Sequence, residues 1–399
     1  MDFYIGVPVT AFFTACMRVK RCLFPVKAQL HRNIKNILCI ELSEMGSMIL
    51  LSPLLQKIKT AYPDANIYFI TFRETAPALY LLNAVDKHNI LTLRTANFFV
   101  FIWDVLCVSL KLYRMNFDIT FDLELFSRIS SLLTFFSGAP VKTGFDNFLA
   151  EGLYRGKFLT HPVTYNPHQH ITKNFLSMFY ALQENADDIP HTKRAIGNEE
   201  VILPFIAYDD QKIGIFKERL YASYPALQSA SCLILLNPNS SQVMPLRRWS
   251  LESYLGLARK VMDNIPGAAI IVTGAAHEKA EGEFICSNLS HAQVINLAGF
   301  TNMEELIALY HVADLLVSND SGPGHFSALA KVKTIILFGP ETPELYGSLN
   351  PNAYHFYKHL HCSPCSTAYN QRTSPCRNNV CMQSISVDEV YEKVSEMLQ

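Results

Sequence analysis

One pattern constrains this chain more than any other: strand-length apolar runs alternate with helical runs, and the alternation occurs twice. Residues 36–42 (NILCIEL), 66–72 (NIYFITF), 88–93 (HNILTL) and 117–122 (FDITFD) read as strands, with helical runs over 48–61, 75–83 and 96–114 between them. A helix between two strands rules out a tight hairpin and supplies a crossover, so these strands pair in parallel in a doubly wound sheet. Residues 171–182 read as a further helix, and the polar, proline-punctuated stretch 185–204 as a linker.

The second alternation opens at 231–237 (SCLILLN). Strands are expected at 268–273, 294–296, 315–318 and 334–338, with helices over 250–262, 277–289 and 303–311. Capping-box spacing at Thr301 to Glu304 and at Ser386 to Glu389 predicts helix starts there. The expected organisation is an N-terminal segment 1–33, a Rossmann-like domain 34–200, a second Rossmann-like domain 201–385 and a C-terminal helix 386–399. Two such α/β halves imply a cleft between two sheets. Ligands of parallel sheets sit beyond the carboxyl ends of the strands, so the turns there are the candidate sites.

Composition narrows the partners. The formal net charge of -1 gives no global attraction to nucleic acid, which is therefore not an expected partner. Only 17% of residues are charged and 12% are aromatic, which points to contact with something apolar. Residues 3–17 are largely apolar and are followed by Arg18, Lys20, Arg21, Lys27, Arg32 and Lys35. A secretory signal carries its positive charge before the apolar part, and a spanning helix needs roughly twenty apolar residues. The expectation is a peripheral or monotopic anchor on the cytoplasmic face of the inner membrane, its basic residues on anionic headgroups. A signal anchor and a helix docked on the protein's own core stay open.

Four polar turns in the second half carry the candidate chemistry. In 319–325 (NDSGPGH), Gly322 and Gly324 allow close backbone approach, Pro323 suits a first helical turn, and the free N–H groups and helix dipole there favour a phosphate. Ser321 and His325 add donors, and Asp320 caps the helix or binds a hydroxyl. In 237–249 (NPNSSQVMPLRRW), Asn239 and Ser240 offer small polar groups, and Arg247 or Arg248 a bidentate charge for a diphosphate. Gly274 and Glu278 follow the next strand, where ribose contact and helix capping are both open for Glu278, and Gly339 to Pro343 (GPETP) forms the fourth turn. The bland alternative for each is a capped helix or a solvated face. Four such turns in one half are expected to converge on one pocket edge.

The pattern Asp320-Ser-Gly-x-x-His325 with 334–343 (TIILFGPETP), the opening 36–55, and Cys362-Ser-Pro-Cys365 resemble glycosyltransferase family 9, the lipopolysaccharide heptosyltransferases, from about residue 34 to the end. The resemblance implies a GT-B fold, a nucleotide-diphosphate sugar donor held by the second half, a lipid-linked saccharide acceptor held by the first, and inversion without a required metal. It assigns Asp320, Ser321, Gly322 and His325 to the donor motif, Arg247 to a phosphate-contacting position and Glu278 to the ribose. Many relatives end the first turn with Gly-Asp, the Asp being the presumed base, whereas this chain has Gly46 and Ser47. A serine hydroxyl is not a base at neutral pH. Glu44 is therefore the expected base, with Gly46 and Ser47 positioning the acceptor or a phosphate oxygen, and Asp122 and Glu124 as weaker alternatives.

Cys362, Cys365, Cys376 and Cys381 have a spacing that suits one tetrahedral site, and some relatives carry a four-cysteine metal finger here. Structural zinc or iron, free thiols and disulfides are the alternatives, and no catalytic role is expected of the group. The functional expectation is an inverting glycosyltransferase at the membrane. A catalytically lapsed binder of nucleotide sugar or glycan, and a GT-B-type sugar-nucleotide epimerase, are the other readings.

Overall fold

Strands covered on both faces need near-continuous apolar sequence, and the runs read above are of that kind. The computed structural model describes residues 2–23, 33–42, 44–148, 153–184, 189–240 and 244–399. The chain divides into two units, Met1–Ile202 and Leu203–Gln399.

In chain order the first unit holds α1 (Val7–Leu23), β1 (Asn36–Ile40), α2 (Met45–Leu50), α3 (Ser52–Ala61), β2 (Asn66–Phe72), α4 (Ala76–Leu82) and β3 (Ile90–Leu93). It continues with α5 (Phe98–Arg114), β4 (Ile119–Asp122), α6 (Arg128–Phe136), β5 (Val141–Phe145), β6 (His161–Val163) and α7 (Ile171–Ala181). The six strands form one parallel sheet in the order β3-β2-β1-β4-β5-β6. Ile37 to Ile40 in β1 and Ile119 to Asp122 in β4 are fully buried, as central strands of a two-sided sheet require.

The second unit runs α8 (Asp210–Ser223), β7 (Cys232–Asn237), α9 (Leu251–Asn264), β8 (Ala268–Val272), α10 (Lys279–Leu289), β9 (Val294–Asn296) and α11 (Met303–Val312). Then come β10 (Leu315–Asn319), α12 (Gly322–Ala330), β11 (Lys333–Leu337), α13 (Pro343–Tyr346), β12 (Ala353–Phe356), α14 (Val380–Gln383) and α15 (Val387–Leu398). Its sheet is also parallel, in the order β12-β11-β10-β7-β8-β9. Ile234, Leu236, Ile270, Val317 and Ile335 pack with Tyr254 and Val261 of α9 and Val390 and Val394 of α15. The C-terminal helix is thus an integral layer of the second unit.

The structure departs from the sequence reading at weakly patterned elements. Lys142 and Gly144 hide β5, where a Cβ on Gly144 would stand 2.9 Å from the Asp122 carbonyl oxygen. The three-residue β6 contains Pro162, tolerated because β6 is an edge strand. One capping box is shifted by a residue: Asn302 accepts from the Glu305 N–H at 2.9 Å while Glu305 accepts from the Asn302 N–H at 3.0 Å. The other is formed by Ser386 and Glu389.

Helix α1 docks on α6, with the Phe13 ring 5.1 Å from Phe135 and 5.3 Å from Phe136. Among the described residues no helix is long and apolar enough to cross a membrane. Of the basic cluster, Lys27 and Arg32 lie outside the described residues, as do the side chains of Lys20 and Arg21; residues 185–188 of the expected linker and Ser43 of the first turn lie outside them too.

Candidate functional site

One asparagine ties two of the four turns of the second unit together. Asn319, buried at the end of β10, accepts from the Trp249 N–H at 3.0 Å. Its amide donates to the carbonyls of Pro238 at 2.9 Å and Asn239 at 3.2 Å. The turn after β7 and the Arg-Arg-Trp loop are thereby fixed against the start of α12. Trp249 is anchored from behind, its Nε1 donating to the Ile385 carbonyl at 2.9 Å. Asn237 bridges to β8 by donating to the Thr273 carbonyl at 3.1 Å.

Arg247 links the 319–325 turn to one further turn, that of Glu341. Its Nη2 donates to Glu341 Oε1 at 2.6 Å, and its Nε lies 3.4 Å from Asp320 Oδ2. Ser366 Oγ donates to the same Glu341 oxygen at 2.9 Å. The guanidinium is thus bracketed by two buried carboxylates and pre-aimed by Glu341. Burial pushes the Asp320 carboxyl up to about 7, against the pull of Arg247 and with a further push from Glu341. Arg248 faces Ser240, donating to its carbonyl at 3.2 Å.

The start of α12 is accessible. Ser321, Gly322 and Pro323 are half-buried, whereas Gly324 and His325 are buried. A Cβ on Gly322 would meet only the Phe326 ring, at 3.6 Å, which leaves the first turn open to an incoming group. The two glycines therefore differ in role. A Cβ on Gly324 would stand 2.8 Å from Ile336 Cδ1, so Gly324 serves close helix–strand packing and not ligand approach. Gly274 makes room for Asn239, whose Nδ2 would lie 2.8 Å from its Cβ. Asn239 is buried, and among the described residues its amide oxygen and nitrogen have no hydrogen-bond partner, a costly state for a buried amide unless a ligand or water completes it. Glu278 folds back to accept from the Ala275 N–H at 2.7 Å and so acts as a cap.

In the first unit, Glu44 stands at the cap position before α2, and its Oε2 accepts from the buried Ser47 hydroxyl at 3.1 Å. Ser47 thus orients Glu44, with Gly46 between them in the first turn of the helix. The weaker alternatives are committed elsewhere. Asp122 is buried in an ion pair with Arg155 and accepts from Thr134 Oγ1 at 3.0 Å. Glu124 Oε1 accepts from the Leu42 N–H at 2.7 Å. Arg155 Nη1 also donates to the Glu124 carbonyl at 2.8 Å. Sequence reasoning placed Asn319 and Glu341 in candidate turns without giving either a role, and missed Arg155 and Ser366: Arg155 sits in an aperiodic stretch, and the other three act through contacts distant in sequence.

Among the described residues no three His, Cys, Asp or Glu side chains are placed to hold a metal ion, Cys362, Cys365, Cys376 and Cys381 included. Cys365 Sγ accepts from Ser374 Oγ at 3.2 Å, and Cys376 Sγ donates to the Asn378 carbonyl at 3.2 Å. Burial, with the neighbouring Cys365 and Cys376, raises the Cys381 thiol.

Comparison with known proteins gives a consistent result. The family model of glycosyltransferase family 9 (heptosyltransferase) matches residues 107–374. Lipooligosaccharide heptosyltransferase 2 of Campylobacter jejuni is 29% identical over 180 residues, 43% of this chain and 53% of that protein, so the match spans about half the length of that relative. Lipooligosaccharide heptosyltransferase 2 of Haemophilus influenzae is 26% identical over 327 residues, 80% of this chain and 87% of that protein. The solved structure of Escherichia coli ADP-heptose lipopolysaccharide heptosyltransferase II is similar with a TM-score of 0.68 at 20% identity, covering 91% of this chain and 98% of that one. At that identity the likeness shows the fold alone, which is GT-B.

Proposed function

This chain belongs to glycosyltransferase family 9, and from that premise we propose that it is an inverting heptosyltransferase, moving a heptose from ADP-heptose to a lipid-linked saccharide of lipopolysaccharide core type. The observation that carries the reading is the open first turn of α12 at Gly322, joined through Asn319 and Arg247 to two other polar turns of the second unit. The donor diphosphate lies on the N–H groups of that turn, where unsatisfied amides and the helix dipole favour negative charge. Asn239 completes its amide on the donor.

Glu44 takes the proton of the acceptor hydroxyl as the oxygen attacks the anomeric carbon. The bond from that carbon to the diphosphate oxygen breaks, the electron pair leaves with ADP, and the configuration inverts. Ser47 positions Glu44 and Glu341 positions Arg247, while charge developing on the leaving diphosphate is met by preorganised donors, the largest electrostatic contribution of such a site. No step calls for a metal. The enzyme works at the cytoplasmic face of the membrane, held there through α1.

The test is transfer with purified full-length chain, ADP-heptose and a heptose-accepting core oligosaccharide on lipid A, following ADP release and the anomeric configuration of the product. Glu44→Gln is expected to lower kcat by about 10²-fold or more while ADP still binds. Unchanged turnover removes Glu44 from the mechanism. The absence of Asp after Gly46 favours one other reading, a binder that has lost catalysis: ADP-heptose binding without ADP release across acceptors would establish it and overturn the enzyme.

A further inference from the structure

A helix on the surface of a water-soluble protein turns its apolar stripe inward and its polar face out. Two helices of the first unit are apolar on the outward face as well: Phe101, Val105, Val108 and Leu112 of α5 and Phe13 of α1 pack inward, yet large apolar side chains also point out. On α5 the fully buried side chains are Ser109 and Leu112, while Phe99 is 82% exposed, Trp103 65%, Leu110 71% and Tyr113 75%, with Leu106 also exposed. The spacing of these five residues, four and three alternately, sets them in one stripe along the helix. On α1 the buried positions include Thr10 and Thr14, whose hydroxyls bond back to the carbonyls of Gly6 and Thr10 at 2.7 Å, while Phe12, Val19 and Leu23 face out. Both helices pack on α6.

Charge says what covers the stripe. The one acid of α5, Asp104, is turned aside into a two-pronged pair with Arg94, at 2.7 and 2.9 Å, and its side chain is only 12% exposed. The last turn carries Lys111 and Arg114, both exposed, and neither forms an ion pair among the described residues. The exposed face is thus apolar and aromatic with positive charge at one end and no exposed acid. Packing two copies of α5 together would bring four such cations to an interface without acidic partners. An anionic bilayer surface offers acyl chains for Leu106 and Leu110, an interfacial layer for Trp103 and Tyr113, and phosphates for Lys111 and Arg114. We propose that α5 is a lipid-docking helix whose Phe99–Trp103–Leu106–Leu110–Tyr113 stripe lies in the interface of an anionic phospholipid bilayer. This holds whichever sugar the enzyme transfers.

The chain contains two tryptophans, Trp103 on the stripe and Trp249 buried in the second unit, so tryptophan emission reports on α5 directly. Vesicles of phosphatidylglycerol and phosphatidylethanolamine are added to the full chain. The expected result is a blue shift and quenching by brominated acyl chains, both lost in W103F, with vesicle affinity reduced roughly tenfold or more in L106E/L110E, which retains Trp103. Phe12→Glu, on α1, keeps the blue shift at saturating lipid. Emission of Trp103 unchanged by these vesicles overturns the proposal. So does an equal response to phosphatidylcholine alone, or a concentration-dependent dimer in lipid-free buffer that L106E/L110E converts to monomer.

Discussion

Asp320 shows how burial sets the behaviour of one residue. It shares the Arg247 guanidinium with Glu341, and its carboxyl is pushed up to about 7 because desolvation outweighs the attraction of Arg247. The folded protein therefore holds this proton to higher pH than the unfolded chain does. Its contribution to stability is complete below the ordinary carboxylate range and is lost as pH rises toward about 7. Asp320→Asn removes the titration, so its melting temperature is expected to fall less than that of the parent over that window; parallel curves would show that the carboxyl is not raised. The sequence made Asp320 visible in a motif and Arg247 in an arginine pair with Arg248. It did not reveal that they are partners, because a contact between residues 73 positions apart leaves no local pattern. Glu278, read as a ribose contact or a cap, is seen capping its own helix, a bond decided by three residues of local chain.

At the scale of elements, two packing contacts fix the turns. Gly324 lets α12 lie against β11, and Gly324→Ala drives a methyl into Ile336, at an expected cost of about 1–3 kcal/mol in urea unfolding. No loss would mean that the helix has room to move away. The carboxyl end of β4 is held by the Asp122–Arg155 pair, with Arg155 Nη2 also donating to Ser130 Oγ at 2.8 Å. Arg155→Ala strands a buried carboxylate and is expected to cost about 3–5 kcal/mol by the same measurement. A cost below about 1 kcal/mol would show the pair to be dispensable. Strongly periodic elements were legible in advance: β1, β2, β4, β7, β8 and β10 follow apolar runs that sheet burial demands. Those missed (α6, α8, α13, α14, β5, β6 and β12) are short, mixed in composition or at the sheet edge, where burial places weak demands on sequence. Helix α5 was legible as a helix, while its outward apolar face was not, since periodicity gives the stripe and not the side of the molecule it faces.

At the scale of the molecule, each unit is a six-stranded parallel sheet with its polar turns beyond the strand ends, and the chain belongs to a family of heptosyltransferases. The central claim is that the second unit grips a nucleoside diphosphate at the first turn of α12. Glycine at position 322 is the lever: the space beside it is open, so Gly322→Asp is expected to fold as the parent does while placing a carboxylate where the diphosphate lies. Calorimetric titration of ADP into the parent and into Gly322→Asp is the most direct test. Saturable binding by the parent is expected, with a loss of about 10²-fold or more in the variant and melting temperatures that match. Equal affinity in the two proteins, or no binding to the parent, would contradict it.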